Sequence, residues 1–250
     1  MKIAKEIFSL VVVTASLLFY SCGKDQFEDP ANLNKGYHYY PLETGKYRIY
    51  QVDSILFDTT SSGVRVDSVR TYLKEEMVDT FKNSIGNTVY RIIRSEKKVL
   101  TEPWVFKDIV SAEKDSFQAI RTENNFRMLK LVFPLRSRQV WNSTLYFDNS
   151  VEIKAGKNEI VMFKNWESEL ISLGKSATVL GKTFSDVVEV FQANDENSIE
   201  LRRVREKYAK GIGLLSCEME ILDTQKPASV PWRRKAQSGF IFRQYLIDSN

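Results

Sequence analysis

The chain is poor in the residue types from which most catalytic and metal sites are made. Its 250 residues include two cysteines, Cys22 and Cys217, and one histidine, His38. A catalytic triad needs a histidine base on a rigid scaffold, and His38 borders a polar, linker-like stretch. Metal sites need His, Cys or carboxylate clusters at ligand spacing. The nearest approach is Asp53, Asp58 and Asp67 around a predicted hairpin, and these read as solvated carboxylates. No phosphate-cradling glycine loop is present, and no cofactor is implied. The paired carboxylates of a glycoside hydrolase can sit on a β scaffold, but no sequence feature selects a pair.

An excess of one charge is lacking too. Thirty-six Lys and Arg against 32 Asp and Glu give a net charge of +4, too mild for a nucleic-acid footprint. Two basic clusters stand out, Arg202-Arg203-Val204-Arg205-Glu206-Lys207 and Trp232-Arg233-Arg234-Lys235. They read as solvated surface, the sharper alternative being contact with anionic lipid or an acidic glycan. Neither interleaves stacking aromatics, which argues against nucleic acid as a partner.

The chain also lacks an apolar run long enough to cross a bilayer. The longest, Ile7 to Tyr20, has 14 residues, where a spanning helix needs about 20. Met1, Lys2 and Lys5 precede it and Ser21-Cys22-Gly23 follows, the layout of a secretory signal peptide. A cysteine after a small residue at the cleavage point resembles a bacterial lipobox, with Phe19 and Tyr20 where an aliphatic and a small residue are usual. The resemblance implies that residues 1–21 are removed and that Cys22 carries the lipid. The competing reading is an ordinary signal peptide with an incidental thiol. Stable anchoring takes at least two acyl chains, which such lipoproteins carry. With Cys22 so used, Cys217 has no partner in its own chain, and no disulfide is available. Cys217 lies in an alternating segment, Leu214 to Met219, and reads as a small buried hydrophobe; a reactive thiol is the alternative.

Residues 22–36 are polar, contain Pro30 and Gly36, and show no apolar period. They read as a flexible tether. Lys24-Asp25 with Glu28-Asp29 also resembles the charged segment that sends some Bacteroidota lipoproteins to the cell surface.

What the chain does have is period-two alternation. Tyr47–Phe57, Val64–Leu73 and Val89–Ser95 read as strands with one buried and one wet face. Polar turns at Thr59–Gly63 and Ser84–Asn87 make them antiparallel hairpins. Further strands are expected at Ser116–Arg121, Phe126–Phe133, Ile160–Phe163, Trp166–Leu173, Ala177–Leu180, Val187–Gln192, Ser198–Arg205, Leu214–Leu222 and Phe240–Ile247. A short helix over Trp166–Leu173 is the weaker alternative there. Eleven to thirteen strands in one layer curl or close. The expected fold is all-β: a strongly curved antiparallel sheet or open β-barrel over residues 37–250 as a single domain. A two-sheet β-sandwich is the alternative.

Four segments in order resemble the DUF3108-like family of bacterial exported β proteins, which includes proteins labelled TapB. They are Tyr39-Tyr40-Pro41-Leu42 through Gly45 to Tyr47 and Tyr50, Pro134-Leu135 with Trp141, Val179 through Gly181, Phe184 and Asp186 to Val190, and Tyr208-Ala209-Lys210-Gly211-Ile212-Gly213. Tyr47 stands where the family has Trp, and the family's glycine before Trp141 is absent. The resemblance covers about residues 37–222 and implies a β scaffold and an envelope setting, with no catalytic residues to carry over.

Asp53-Ser54-Ile55, Asp58-Thr59-Thr60 and Asp67-Ser68-Val69 match the acceptor pattern of Bacteroidota O-glycosylation, which would place glycans on Ser54, Thr59 and Ser68. Strand alternation alone is the competing explanation. The expected protein is thus a non-enzymatic lipoprotein anchored to the outer membrane through Cys22. Its partners would be that membrane and an envelope protein, glycan or lipid, bound on a concave or edge surface where Tyr37, Tyr39 and Tyr40 could add contact area. The alternative is a hydrolase of envelope glycans. Cys22→Ala is expected to move the protein out of the membrane fraction. Intact mass of the protein from its native host reads the acyl chains and any glycan together, and retention of Cys22→Ala in membranes would contradict the anchor.

Overall fold

A computed structural model describes residues 35–226 and 229–250. The expected signal peptide, Cys22 and most of the expected tether lie outside the described residues. Fourteen strands follow a three-residue 3₁₀ turn at Tyr37–Tyr39: β1 Tyr47–Thr60, β2 Gly63–Lys82, β3 Thr88–Lys97, β4 Val105–Lys114, β5 Gln118–Glu123, β6 Phe126–Val132, β7 Val140–Asn142, β8 Glu152–Ala155, β9 Asn158–Val161, β10 Glu167–Val179, β11 Lys182–Glu196, β12 Glu200–Ala209, β13 Gly213–Asp223 and β14 Ser238–Ser249. One helical turn, Trp232–Lys235, sits in the β13–β14 connection.

Twelve strands form one antiparallel sheet in the order β6-β5-β4-β3-β2-β1-β14-β13-β12-β11-β10-β7, and β8 and β9 make a separate hairpin. The two edges meet. Leu129 N–H of β6 donates to Ser143 C=O just past β7 at 2.9 Å, and the Trp141 indole N–H of β7 donates to Leu129 C=O at 3.1 Å. The all-β expectation holds, as a single sheet curled into a nearly closed barrel and not as two stacked layers. Tight turns drive the meander: Asn124 and Asn125 take left-handed φ of 50° and 67° between β5 and β6, the geometry of a two-residue hairpin turn.

Four strands differ from expectation. β4 is added, its period obscured because Val105, Phe106 and Ile109 are 62%, 61% and 53% exposed. Its first half pairs with β3 alone, since β5 joins only from Ser111 onward. The segments Trp166–Leu173 and Ala177–Leu180 belong to one strand, β10, and are not helical. Register shifts between Leu170 and Ala177, around left-handed Gly174, break the alternation and split the pattern. β7 and β8, of three and four residues, are too short to carry a period.

One end of the barrel is plugged by the chain entering it. Lys114 Nζ donates to the carbonyls of Tyr37 and Tyr40 at 2.9 and 2.8 Å, and Gly211 N–H donates to His38 C=O at 2.8 Å. Tyr39 is fully buried, and its hydroxyl donates to Asp186. These tyrosines pack the floor: Tyr39 has no exposed surface, and Tyr40 is buried against the interior cavity.

The β8–β9 hairpin caps part of the opposite end. Asp58, 1% exposed at the top of β1, accepts hydrogen bonds from Lys157 N–H at 2.9 Å and Asn158 Nδ2 at 3.1 Å. Gly156 permits the approach, because a Cβ there would lie 2.9 Å from Asp58 Oδ1. Arg202 Nε holds the other side of the hairpin through Val161 C=O at 2.9 Å. Asp58→Ala is expected to leave two hairpin donors unpartnered, at about 1–3 kcal/mol. Hydrogen exchange over residues 152–161 should quicken while the barrel strands keep their protection. Asp58→Asn, which retains an acceptor, should exchange more slowly than Asp58→Ala; equal rates in both would refute the pin.

Candidate functional site

The inward side chains of a barrel of this size do not fill it, and a cavity of about 540 Å³ remains. That falls within the usual range for small-molecule sites, roughly 300–1,000 Å³. Exposed Lys107, Asn124 and Lys154 among its lining residues mark the mouth, between the β8–β9 cap and the rim formed by β3, β4 and the β5–β6 turn.

Beneath the cap the wall is apolar. Phe126, Met128, Met162, Phe163, Trp166, Met219, Phe240 and Phe242 line it. Phe163 anchors the group, with ring centroids 4.7 Å from Phe126 and 4.9 Å from Trp166. The Trp166 indole N–H is satisfied by Met162 C=O at 2.8 Å. Its methionines give such a wall an adaptable shape.

Lower down the lining is ionic. Arg121 of β5 binds Glu75 of β2 through both terminal nitrogens, at 2.5 and 3.3 Å. Its Nε reaches Glu123 at 3.3 Å, and Glu123 bonds to Arg94 of β3 at 2.5 Å. Arg94 in turn grips Asp108 of β4 through Nε and Nη2, both at 2.5 Å. Across the barrel, Lys130 of β6 meets Glu206 of β12 at 2.6 Å. Glu206 also accepts from Tyr208 Oη at 2.6 Å and Gln192 Nε2 at 2.8 Å. Gln192 Nε2 further donates to Lys130 C=O at 3.1 Å, and Ser168 Oγ donates to Gln192 Oε1 at 2.9 Å. Each carboxylate in this belt therefore has a cationic partner.

Those pairs decide what the site can do chemically. Burial, the largest influence on Glu123, would raise its pKa, but Arg121 and Arg94 outweigh it and hold the carboxyl below its ordinary range. A glycosidase acid needs the opposite shift. Cys217 is buried, and burial and then Glu206 push its thiol well above the usual range. It stays protonated, and thiols in that form are inert.

At the floor, Arg48 points inward from the start of β1. Its Nε donates to Ile212 C=O at 2.6 Å and its Nη2 to Pro41 C=O at 3.0 Å. Gly213 makes room for it, since a Cβ there would sit 2.8 Å from Arg48 Nη2. Tyr40 and Gln244 also line this part of the cavity.

Of the residues singled out from sequence as candidate site or contact residues, Tyr40, Cys217 and Glu206 line the cavity and the others lie elsewhere. His38 is in the floor plug, its ring 4.4 Å from Tyr39 and its Nε2 buried without a partner among the described residues. Burial, with Lys210 next, lowers its pKa. Asp53, Asp58 and Asp67 do not form one cluster. Asp53 pairs with Arg70 at 2.5 Å, while Asp58, which pins the cap, and Asp67 share Arg65 at 3.4 and 2.8 Å. Among the described residues no group of His, Cys, Asp and Glu could hold a metal. Ser54 is half-buried in the middle of β1, Thr59 is exposed with its hydroxyl bonded to Gln237 C=O at 2.9 Å, and Ser68 is exposed on β2. Of the three, Ser68 is the most open to a glycan.

The basic cluster on β12 is not all surface. Arg202 is 1% exposed and bonds Leu222 C=O at 3.2 Å and Asp223 at 2.6 Å. It occupies the inward parity of a central strand, where its guanidinium wires β9, β12 and β13 together. Arg203 pairs with Glu196 at 2.8 Å, and Arg205 pairs with Glu189. On the second cluster, Lys235 Nζ lies 4.0 Å from the Trp232 ring centroid, and the Trp232 indole bonds Glu196 at 2.8 Å.

The interior ionic network is not evident from sequence as a site, although a signal exists. Glu75 sits between Leu73 and Met77, and Glu206 between Val204 and Tyr208, each at the buried parity of its strand. A charge inside an apolar period marks an interior polar network.

No family model matches the chain, and no curated protein does. Among solved structures it is similar to a proposed lipoprotein of Parabacteroides distasonis, at 12% identity and a TM-score of 0.43, over 85% of this chain and 98% of that one. It is also similar to a proposed exported protein with a YmcC-like fold from Bacteroides fragilis, at 9% identity and a TM-score of 0.36, over 84% and 98% of the two chains.

The depressed Glu123 pKa fixes the sign of an acid effect. The unfolded chain takes up the proton near pH 4.3, before the folded chain does. The pairing thus stabilises fully above that pH and is lost as pH falls through the folded value. In urea unfolding between pH 3 and 7, Glu123→Gln should be less stable than wild type at neutral pH and should lose less stability on acidification. Parallel acid limbs would show that Glu123 does not carry the effect.

Proposed function

We propose that this protein is a non-enzymatic envelope lipoprotein, held to the outer membrane by lipid on Cys22, whose barrel holds an apolar ligand without transforming it. The observation that carries the binding half is the 540 Å³ interior cavity with its aromatic and methionine wall. The envelope half rests on the signal-peptide layout, the lipobox-like Ser21-Cys22 and the ordered motifs that resemble the DUF3108-like group. Pairing of each carboxylate in the ionic belt with Arg or Lys supports binding over glycan hydrolysis, because hydrolysis needs one carboxyl kept protonated and another free.

The β8–β9 cap gives the reading a physical route. It is a two-stranded hairpin held by Asp58 and Arg202 and lies outside the main sheet. Hairpins alone are marginally stable in water, so this is the part of the wall best suited to admit a ligand.

The test uses the full chain carrying Cys22→Ala, purified without detergent and delipidated. N-phenyl-1-naphthylamine should bind at one per chain with enhanced fluorescence. Met219→Trp, which adds bulk to the apolar wall, should weaken that binding about tenfold, or ~1.4 kcal/mol, with an unchanged circular dichroism spectrum. Absence of saturable binding, or full binding in a folded Met219→Trp, would overturn the cavity as the site.

A further inference from the structure

The floor of the cavity carries polar groups that the protein does not satisfy. Arg94, Arg121 and Lys130 each pair with carboxylates. Arg48 bonds only to the carbonyl oxygens of Ile212 and Pro41, with no carboxylate among the described residues. The Tyr40 hydroxyl makes no hydrogen bond to any described residue, and neither does the side-chain amide of Gln244. Both residues are buried, at 9% and 7% exposure, and both line the cavity. Yet among the described residues His38 Nε2 is the fully enclosed side-chain polar atom without a partner. The hydroxyl and the amide therefore touch the cavity space.

The three groups occupy one region. Arg48 acts electrostatically on both Tyr40 and Tyr50. In the sheet, Gln244 lies opposite Val52 and Leu246 opposite Tyr50, so Gln244 is one inward row above Tyr50. The space left at Gly213 lets the guanidinium swing under that row. Arg48 is half-buried and has no counter-ion, and beside it lie a hydroxyl and an amide without partners, so an anion there would gain donors that the protein leaves unused. From there the lining rises past Cys217 to Met219, Phe242 and Phe240 beneath the cap.

We propose that the cavity takes a single-chain anionic amphiphile, its carboxylate or phosphate head at Arg48, Tyr40 and Gln244 and its tail against the apolar wall. This rests on the reading of the barrel as a binding cavity and names the ligand class. Guanidinium and hydroxyl donors suit a multi-oxygen anion, and the amide adds a further donor.

The delipidated Cys22→Ala chain tests it by displacement of N-phenyl-1-naphthylamine with three probes: hexadecanoate, hexadecyl phosphate and hexadecan-1-ol. At least one anion should bind about tenfold or more tighter than the alcohol, and the stronger of the two identifies the head as carboxylate or phosphate. Tyr40→Phe and Gln244→Leu remove no bond the protein makes to itself, so both should fold. Each should weaken the preferred anion several-fold and leave the alcohol unchanged. Equal binding of alcohol and anions would overturn the head site while leaving the apolar cavity standing. Unaltered anion affinity in both variants would also overturn it. Dye binding with no displacement by any of the three would remove the ligand class, and absence of dye binding would remove the cavity reading itself.

Discussion

The structure depends on salt bridges that run as chords across its own curvature. Arg121 and Glu75 stand on strands separated by two others, and strands lie about 4.8 Å apart, so a flat sheet would hold their backbones roughly 14 Å from each other. They meet bidentately because the sheet bends sharply between β2 and β5. Lys130 and Glu206 span the seam in the same way, from β6 to β12. Burying charge is expensive, and such pairs are weak evidence for stability as such. Their geometric effect is clear: satisfied pairs exist only at one curvature, and that curvature brings β6 to β7.

Closure then accounts for the division of the interior. Apolar side chains large enough to fill the bore would need no ionic belt. Here the belt occupies the β2–β5 wall and the seam, while the aromatic wall lies under the β8–β9 cap. Polar groups so placed are nearly all satisfied by one another, which is what keeps a buried network tolerable. At the floor, Arg48 has carbonyl partners but no counter-ion, and the Tyr40 hydroxyl and Gln244 amide beside it face space.

Much of the sheet was legible in sequence because period two survives wherever a strand has one wet face. β1 and β3 carry it over much of their length, whereas β6 and β13 bury four and three residues in succession and read as strands from their apolar content. The alternation failed at β4, whose first half exposes both faces, and at β10, where bulges near Gly174 reset the parity. The cavity was less legible, for a reason of range. Glu75 and Arg121 are 46 residues apart and Lys130 and Glu206 are 76 apart, and no local pattern announces such partners. Arg202 shows the same limit: it sits in a run of basic residues that looks like surface, and only its place on a central strand buries it.

The floor plug also has a consequence under load. Any pull on the chain N-terminal to Lys35 is delivered first to Gly36–Tyr40. That segment is fastened at several points at once: by Lys114 to two of its carbonyls, by Gly211 to His38 C=O, and by Tyr39 to Asp186. Force is thus shared among β4, the β12–β13 turn and β11 instead of peeling one strand at a time. A load entering at Lys35 is met at the floor, and the opening at the other end of the barrel is spared the strain.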